Sequence, residues 1–190
     1  MLTEQDYIDA AQILSCETAV IKAVKEVESG GSGFLKTGEC KMLFEPHIFW
    51  KELRKRGIDP NQHTAGNEDI LYVKWVTGKY GTVNQQPGRL ARAVVINEDA
   101  ALCSASYGLF QVLGGNFAAC GYSTVKDFYS DMCKDEAHQL NAFCQFVKNN
   151  HLDDELREHL WTQFARAYNG AGFAKNRYHV KLEAAYNKYK

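Results

Sequence analysis

Apolar residues recur at three- and four-residue steps along most of this chain, the spacing of helices that bury one face. Asp6-Tyr7-Ile8 through Leu14 gives the first such pattern, with Thr3 at the N-cap and Asp6 three residues on, in the place of a capping-box acid. From Glu17, the positions Val20, Ile21, Val24 and Val27 predict a second helix. Gly30-Gly31 stops it, which places Glu28 in its last turn. His47–Arg56 restarts the pattern, with Ile48, Trp50 and Leu53 among basic residues. Further helical patterns cover Thr124–Cys133, Asp135–Asn149, Asp153–Tyr168 and Asn176–Tyr189, separated by breaks at Gly121 and Gly170–Gly172.

Gly33–Phe44 alternates weakly about Lys36-Thr37-Gly38-Glu39 and predicts a small hairpin, its second strand Cys40–Phe44 ended by Glu45-Pro46. Residues 57–67 and 78–88 read as loops, and residues 68–80 between them as a helix around Ile70, Val73 and Trp75. Residues 89–106 read as one long helix with Glu98 and Asp99 on its solvated face. A short glycine-closed helix follows in YGLFQVLGGN. With no repeat, low-complexity linker or charge block, the expected fold is mostly α: one helical domain over residues 1–190 with a single small β-hairpin.

Composition narrows the function classes. A formal net charge of −1 over 190 residues supplies no general field for nucleic acid. No apolar run approaches the ~20 residues of a membrane span, so membrane insertion is not expected. The start, MLTEQDYIDAAQILS, has Glu4, Asp6 and Asp9 where a secretory signal needs basic residues. The six cysteines (Cys16, Cys40, Cys103, Cys120, Cys133, Cys144) show no C-x-x-C and no zinc spacing. They read as reduced core thiols, with three disulfides as the alternative, and no metal or other cofactor is called for.

The acids carry the candidate chemistry. A carboxyl in the last turn of a helix faces the negative end of the macrodipole, which disfavours ionisation, so Glu28 is placed to hold a proton. Glycosidic cleavage needs such an acid and usually a second carboxylate. Glu45 is the candidate for the second role, since the hairpin folds back towards the helix end. Glu39, in the hairpin turn, competes with it but reads as solvated. The Ser29–Gly33 run leaves room for close approach of a ligand. SASYGLFQV offers Gly108 for the same reason and Gln111 as a hydrogen-bonding amide, and AYNGAGFAKN puts Tyr168 and Asn169 before a glycine turn.

Glu-Ser-Gly, then S-x-G-L-F-Q, then A-Y-N-G is an order that resembles the lysozyme-like superfamily. VESGGSGFL…KMLFEPHIFW with SYGLFQVLGGN and YNGAGFAKNRYHVKL looks more closely like the N-acetylmuramidase domain of phage endolysins and related bacterial proteins, over about residues 15 to 190. The resemblance implies a lysozyme-like fold and cleavage of the β-1,4 bond between N-acetylmuramic acid and N-acetylglucosamine in peptidoglycan glycan strands. It implies Glu28 as general acid and Glu45 as second catalytic carboxylate. Ser29, Gln111 and the Tyr107, Gly108 and Leu109 backbone would line the sugar groove, with Tyr168 and Asn169 as its far wall. Many members of that family carry a separate wall-binding domain, and the expectation here departs from them: a monomer whose 190 residues leave none. The resemblance also implies a protein made in the host cytoplasm and released to the wall through a holin, or else delivered as a bacterial toxin.

Other readings stay open beside it. A lytic transglycosylase uses a lone glutamate and leaves anhydromuramic ends, and a non-catalytic wall-binding module would keep the groove. His47 reads as bonded to backbone, with a catalytic role as the alternative. Trp50, Trp75 and Trp161 read as core rather than sugar-stacking, and Lys51, Arg54, Lys55 and Arg56 as either a steering patch or a solvated face.

Overall fold

Helix α1 (Glu4–Leu14) begins at the predicted capping box: the Thr3 hydroxyl accepts from the Asp6 N–H, and the Asp6 carboxylate accepts from the Thr3 N–H at 2.6 Å. Helix α2 (Thr18–Glu28) buries Val20, Ile21 and Val24 completely. Each such side chain contributes about 1.5–3 kcal/mol relative to an exposed one. Their partners are α1 and the C-terminal helix α10 (Tyr178–Tyr189), so the helix carrying Glu28 is held between the two ends of the chain. The computed structural model describes residues 1–29, 31–76 and 78–190, and all of these but the side chain of Ala171. Gly30, read as part of the α2 stop, and Thr77 lie outside the described residues. Ser29 caps α2, its N–H bonded to Lys25 O at 3.1 Å.

The fold is mostly α, as the pattern predicts, but its β portion is built differently. The Phe34–Cys40 pairing is a single antiparallel bridge. Strand β1 (Met42–Phe44) instead pairs with β2 (Ala105–Tyr107), and β2 with β3 (Val112–Leu113), as a three-stranded antiparallel sheet in the order β1-β2-β3. The short helix expected in YGLFQVLGGN is therefore wrong: its start is strand and turn, and only Gly114–Asn116 coils, as a 3-10 turn.

Helix α3 (Pro46–Lys55) follows β1 with Glu45 at its N-cap. Among the described residues of the stretch 68–80, the expected helix does not form. Ile70 and Leu71 are buried while Val73 and Trp75 are more than half exposed, so the apolar positions share no face. The carbonyls of this segment are taken by side chains of α4 (Gln86–Ile96): Arg89 donates to Tyr80 O and Asp69 O, and Gln86 to Tyr80 O at 2.6 Å. Trp75 accordingly leaves the core assigned to it, whereas Trp161 is buried there.

The long helix expected over 89–106 is two. Asn97 takes an extended conformation and its side chain accepts the Ala100 N–H at 2.9 Å, restarting the chain as α5 (Glu98–Cys103). Asn competes for backbone donors in this way, which favours a cap over a helix interior. Glu98 and Asp99 thus lie in a first turn, exposed, facing Lys126. Helices α6 (Val125–Met132) and α7 (Glu136–Asn149) match their patterns and are capped by Thr124 and Asp135. The Asp153–Tyr168 pattern is split into α8 (Asp153–Arg157) and α9 (Trp161–Asn169) at His159, whose φ is +57°. All six cysteines are free. Cys40, Cys103, Cys120 and Cys144 are buried, but Cys133 is exposed, and the neighbouring Cys40 thiol lowers its pKa to about 7.

Gly114 packs so closely that an added Cβ meets Leu102 O at 2.1 Å, whereas Gly88, in the first turn of α4, faces open space. Gly114→Ala is expected to cost about 3 kcal/mol through overpacking against backbone. Gly88→Ala should gain about 0.5–1 kcal/mol from helix propensity. Urea unfolding of the two variants checks both signs.

Candidate active site

Three separate segments converge on the end of α2. The Asn169 amide nitrogen, in the last turn of α9, donates to Glu28 Oε1 at 2.9 Å. One residue earlier, the Tyr168 hydroxyl donates to Phe110 O at 2.9 Å, while its ring packs edge-on to Phe143 and parallel to Phe164. Tyr168 therefore ties α9 to the turn between β2 and β3, and this bond sets its helical neighbour Asn169 over the carboxyl. The turn itself is Gly108–Gln111. Gly108 has φ +72° and donates its N–H to Lys41 O at 2.7 Å, and Gln111, at φ +49°, donates its amide to Gly108 O at 2.8 Å.

Glu28 is half-buried. Withdrawal from water raises its pKa, opposed by the Asn169 hydrogen bond and by the charge of Lys181, and the net direction is upward. The proton is thus held more tightly than on a free carboxyl. With Oε1 accepting from Asn169, Oε2 is the oxygen that would carry the carboxyl's proton.

The predicted residues do not all meet here. Glu28, Asn169, Tyr168, Gly108 and Gln111 come together. Tyr107 and Leu109 are fully buried, the Tyr107 hydroxyl bonding Leu102 O at 3.0 Å, so they frame the turn from inside. The Ser29 side chain is buried and its hydroxyl lies 3.4 Å from the Gly31 N–H.

Glu45 stands at the other end of β1. Four residues separate it from Lys41, which pairs with the turn, a span of roughly 13 Å at about 3.3 Å per residue. Its carboxylate faces His47 Nδ1 at 3.5 Å. Burial and then Glu45 hold the Tyr80 hydroxyl well above its ordinary pKa. His47, read as bonded to backbone, lies instead between Glu45 and the Tyr80 hydroxyl, 3.5 Å from each. Glu39 is exposed and accepts from Thr37 Oγ1 at 2.9 Å.

Four residues that pattern reading passed over belong to this region. Tyr178 and Lys181 lie one turn apart on α10, with Lys181 Nζ 5.5 Å from the Tyr178 ring centre. Burial and then the charge of Glu28 raise the Tyr178 hydroxyl. Their Tyr-x-x-Lys spacing is the signal that marks one helix face. Glu136 and Gln139, on α7, hold the loop after α2: Glu136 Oε1 accepts the Gly33 N–H at 2.9 Å, and Gln139 Oε1 accepts the Leu109 N–H at 2.8 Å. Among the described residues no three His, Cys, Asp or Glu side chains cluster as a metal site, and no helix is long and apolar enough to cross a membrane.

Against this geometry, residues 17–190 match the profile of the Muramidase family, described as N-acetylmuramidase. The crystal structure of the Burkholderia AP3 phage endolysin superposes with a TM-score of 0.91 and 38% sequence identity, covering 99% of this chain and 71% of that one. No functionally curated protein matches.

The raised pKa of Glu28 carries a stability cost with a definite sign. The folded state binds this proton more tightly than the unfolded chain, so stability falls as pH rises through and beyond the ordinary value of 4.5. Glu28→Gln is expected to melt above the wild type at pH 7, the gap closing below pH 4.5, in paired thermal melts. Removing the Lys181 charge should raise the Glu28 pKa further, a shift that carbon-detected NMR titration of Lys181→Ala would read directly.

Proposed function

Because the chain belongs to the N-acetylmuramidase family, and is thereby a peptidoglycan-cleaving enzyme, we propose that it hydrolyses the β-1,4 bond between N-acetylmuramic acid and N-acetylglucosamine, with Glu28 as the general acid. The observation that carries this reading is a half-buried carboxyl with raised pKa whose Oε1 is gripped by Asn169. Glu28 Oε2 gives its proton to the glycosidic oxygen as the C1–O bond breaks. Water adds its oxygen at C1 as Glu45 takes one of its protons, leaving a reducing muramic end and a free 4-hydroxyl on the glucosamine, and exchange with solvent returns a proton to Glu28. The Asn169 bond stabilises the carboxylate that remains, so it strengthens as the transition state is approached.

Glu45 is proposed as the second carboxylate, acting on water. A nucleophile on a retaining course stands about 5–5.5 Å from the acid, whereas a base on an inverting course stands about 6.5–9.5 Å away. The separation of the Glu28 and Glu45 carboxyls decides between the two courses. Gln111, the half-buried member of the turn, is proposed to contact the glycan, with Ser29, Tyr107, Gly108, Leu109 and Tyr168 shaping the backbone around it. No metal or organic cofactor enters this scheme. The enzyme is proposed to act as a monomer on the cell wall, after release from the cytoplasm through a holin-type lesion.

One observation favours a second reading. Among the described residues, the groups that act on Glu28 are Asn169 and Lys181, and neither is a carboxylate. A lytic transglycosylase, in which the sugar's own C6 hydroxyl attacks C1, needs only that single acid.

Glu28→Gln should lower kcat/KM on purified peptidoglycan by about 10²–10⁴-fold, the usual worth of a general acid. Mass spectrometry of the released muropeptides should find reducing muramic ends. If Glu45→Gln keeps full activity and the products carry anhydromuramic acid, the transglycosylase reading holds instead.

A further inference from the structure

Gln139 is fully buried on α7, and its one amide joins three other segments of the chain. Its Oε1 accepts the Leu109 N–H at 2.8 Å, and its Nε2 donates to Met132 O at 2.8 Å and, more weakly, to Gly33 O at 3.4 Å. Both glycines it touches are packed against it. A Cβ at Gly33 would lie 1.9 Å from Gln139 Oε1, and a Cβ at Gly108 2.5 Å from its amide carbon. One turn earlier on the same face, Glu136 Oε1 takes the Gly33 N–H at 2.9 Å and the Ser32 hydroxyl at 3.2 Å.

These bonds form a closed circuit. From Gln139 one arm runs to Gly33 and back along five residues of chain to Glu28. The other runs through Leu109 to Phe110 O, across to the Tyr168 hydroxyl at 2.9 Å, and from its neighbour Asn169 to Glu28 Oε1 at 2.9 Å. Each arm alone leaves the carboxyl a degree of freedom, and the shared amide removes it.

We infer that Gln139 is a positioning residue, holding the loop after α2 at a fixed distance from the Gly108–Gln111 turn and so setting where the Glu28 carboxyl meets the sugar. This rests on the hydrolase reading of Glu28. The residue type follows from the bonds: the position must accept from one backbone group and donate to others, which an amide does and neither an ionised carboxylate nor a leucine can.

The pH behaviour of Gln139→Glu separates positioning from general support of the fold. A protonated glutamic acid accepts from Leu109 and donates to Met132 O as the amide does, whereas its carboxylate cannot donate. Burial favours the protonated form at low pH. The charged or titratable groups facing this cluster are Glu136, the Met1 ammonium 3.7 Å from it, Tyr7 beside Glu136, the Cys40 thiol 3.8 Å from Gln139 Nε2, and Cys133 next to Cys40. All are present in the wild type, whose own pH profile reports their titration.

The expected result is that Gln139→Glu has kcat/KM about 100-fold below wild type at pH 8, the scale of a small misplacement of catalytic groups, and that the ratio climbs back as pH falls, with kcat affected more than KM. Amide hydrogen exchange provides a readout without activity: Leu109 N–H should lose protection in Gln139→Leu and in Gln139→Glu at high pH, while the α10 amides keep theirs. A pH-independent activity ratio, or a Leu109 N–H protected as in wild type, overturns the inference. Should Gln139→Leu not fold, Gln139→Glu decides alone, since its protonated form keeps the bonds to Leu109 and Met132, and an activity ratio to wild type that does not move with pH counts against the inference. If Glu28→Gln is active while the Leu109 amide behaves as expected, the hydrolase reading fails and the positioning of the loop stands.

Discussion

Holding the Glu28 carboxyl partly out of water, with an amide gripping one oxygen, requires that the end of α2 be fixed on several sides at once. A helix terminus left to itself frays, because its last carbonyls have no partners within the helix. Here α1 and α10 bury the body of α2, α9 supplies Asn169, and α7 clasps the chain just beyond the helix. The burial that disfavours ionisation also costs stability near neutrality. The surrounding packing of Val20, Ile21 and Val24 offsets that cost.

The sheet is small, yet it determines the geometry. Pairing of β1 with β2 brings the Gly108–Gln111 turn alongside Lys41, and Tyr168 binds the turn to α9. A turn at this place has to accept φ +72° and close contact with the Gln139 amide, and glycine at 108 satisfies both. The same β1 leads into Glu45, which clusters with His47 and Tyr80 beside the segment that α4 holds through Gln86 and Arg89.

Much was legible in the residues. Helices α1, α2, α3, α6, α7 and α10 follow from apolar spacing and caps such as Thr3, Thr124 and Asp135, because these signals are local. The placement of Glu28 in a last turn, and the motifs around Gly108 and Asn169, were equally visible. Two of the misreadings share one cause. Ala105–Tyr107 and Val112–Leu113 pair as strands with Met42–Phe44 beside them, and the carbonyls of Asp69 and Tyr80 are taken by Arg89 and Gln86 from another helix.

What the sequence by itself determined is thus the helices marked by apolar spacing and local caps, the acid at the end of one of them and the family to which its motifs point. What only the tertiary structure decided is the company that acid keeps. Asn169 is 141 positions from Glu28, and Glu136 is 103 from Gly33. Hydrogen bonds over such separations leave no periodic trace in a chain, because their geometry exists only once the core has brought α2, α7 and α9 together.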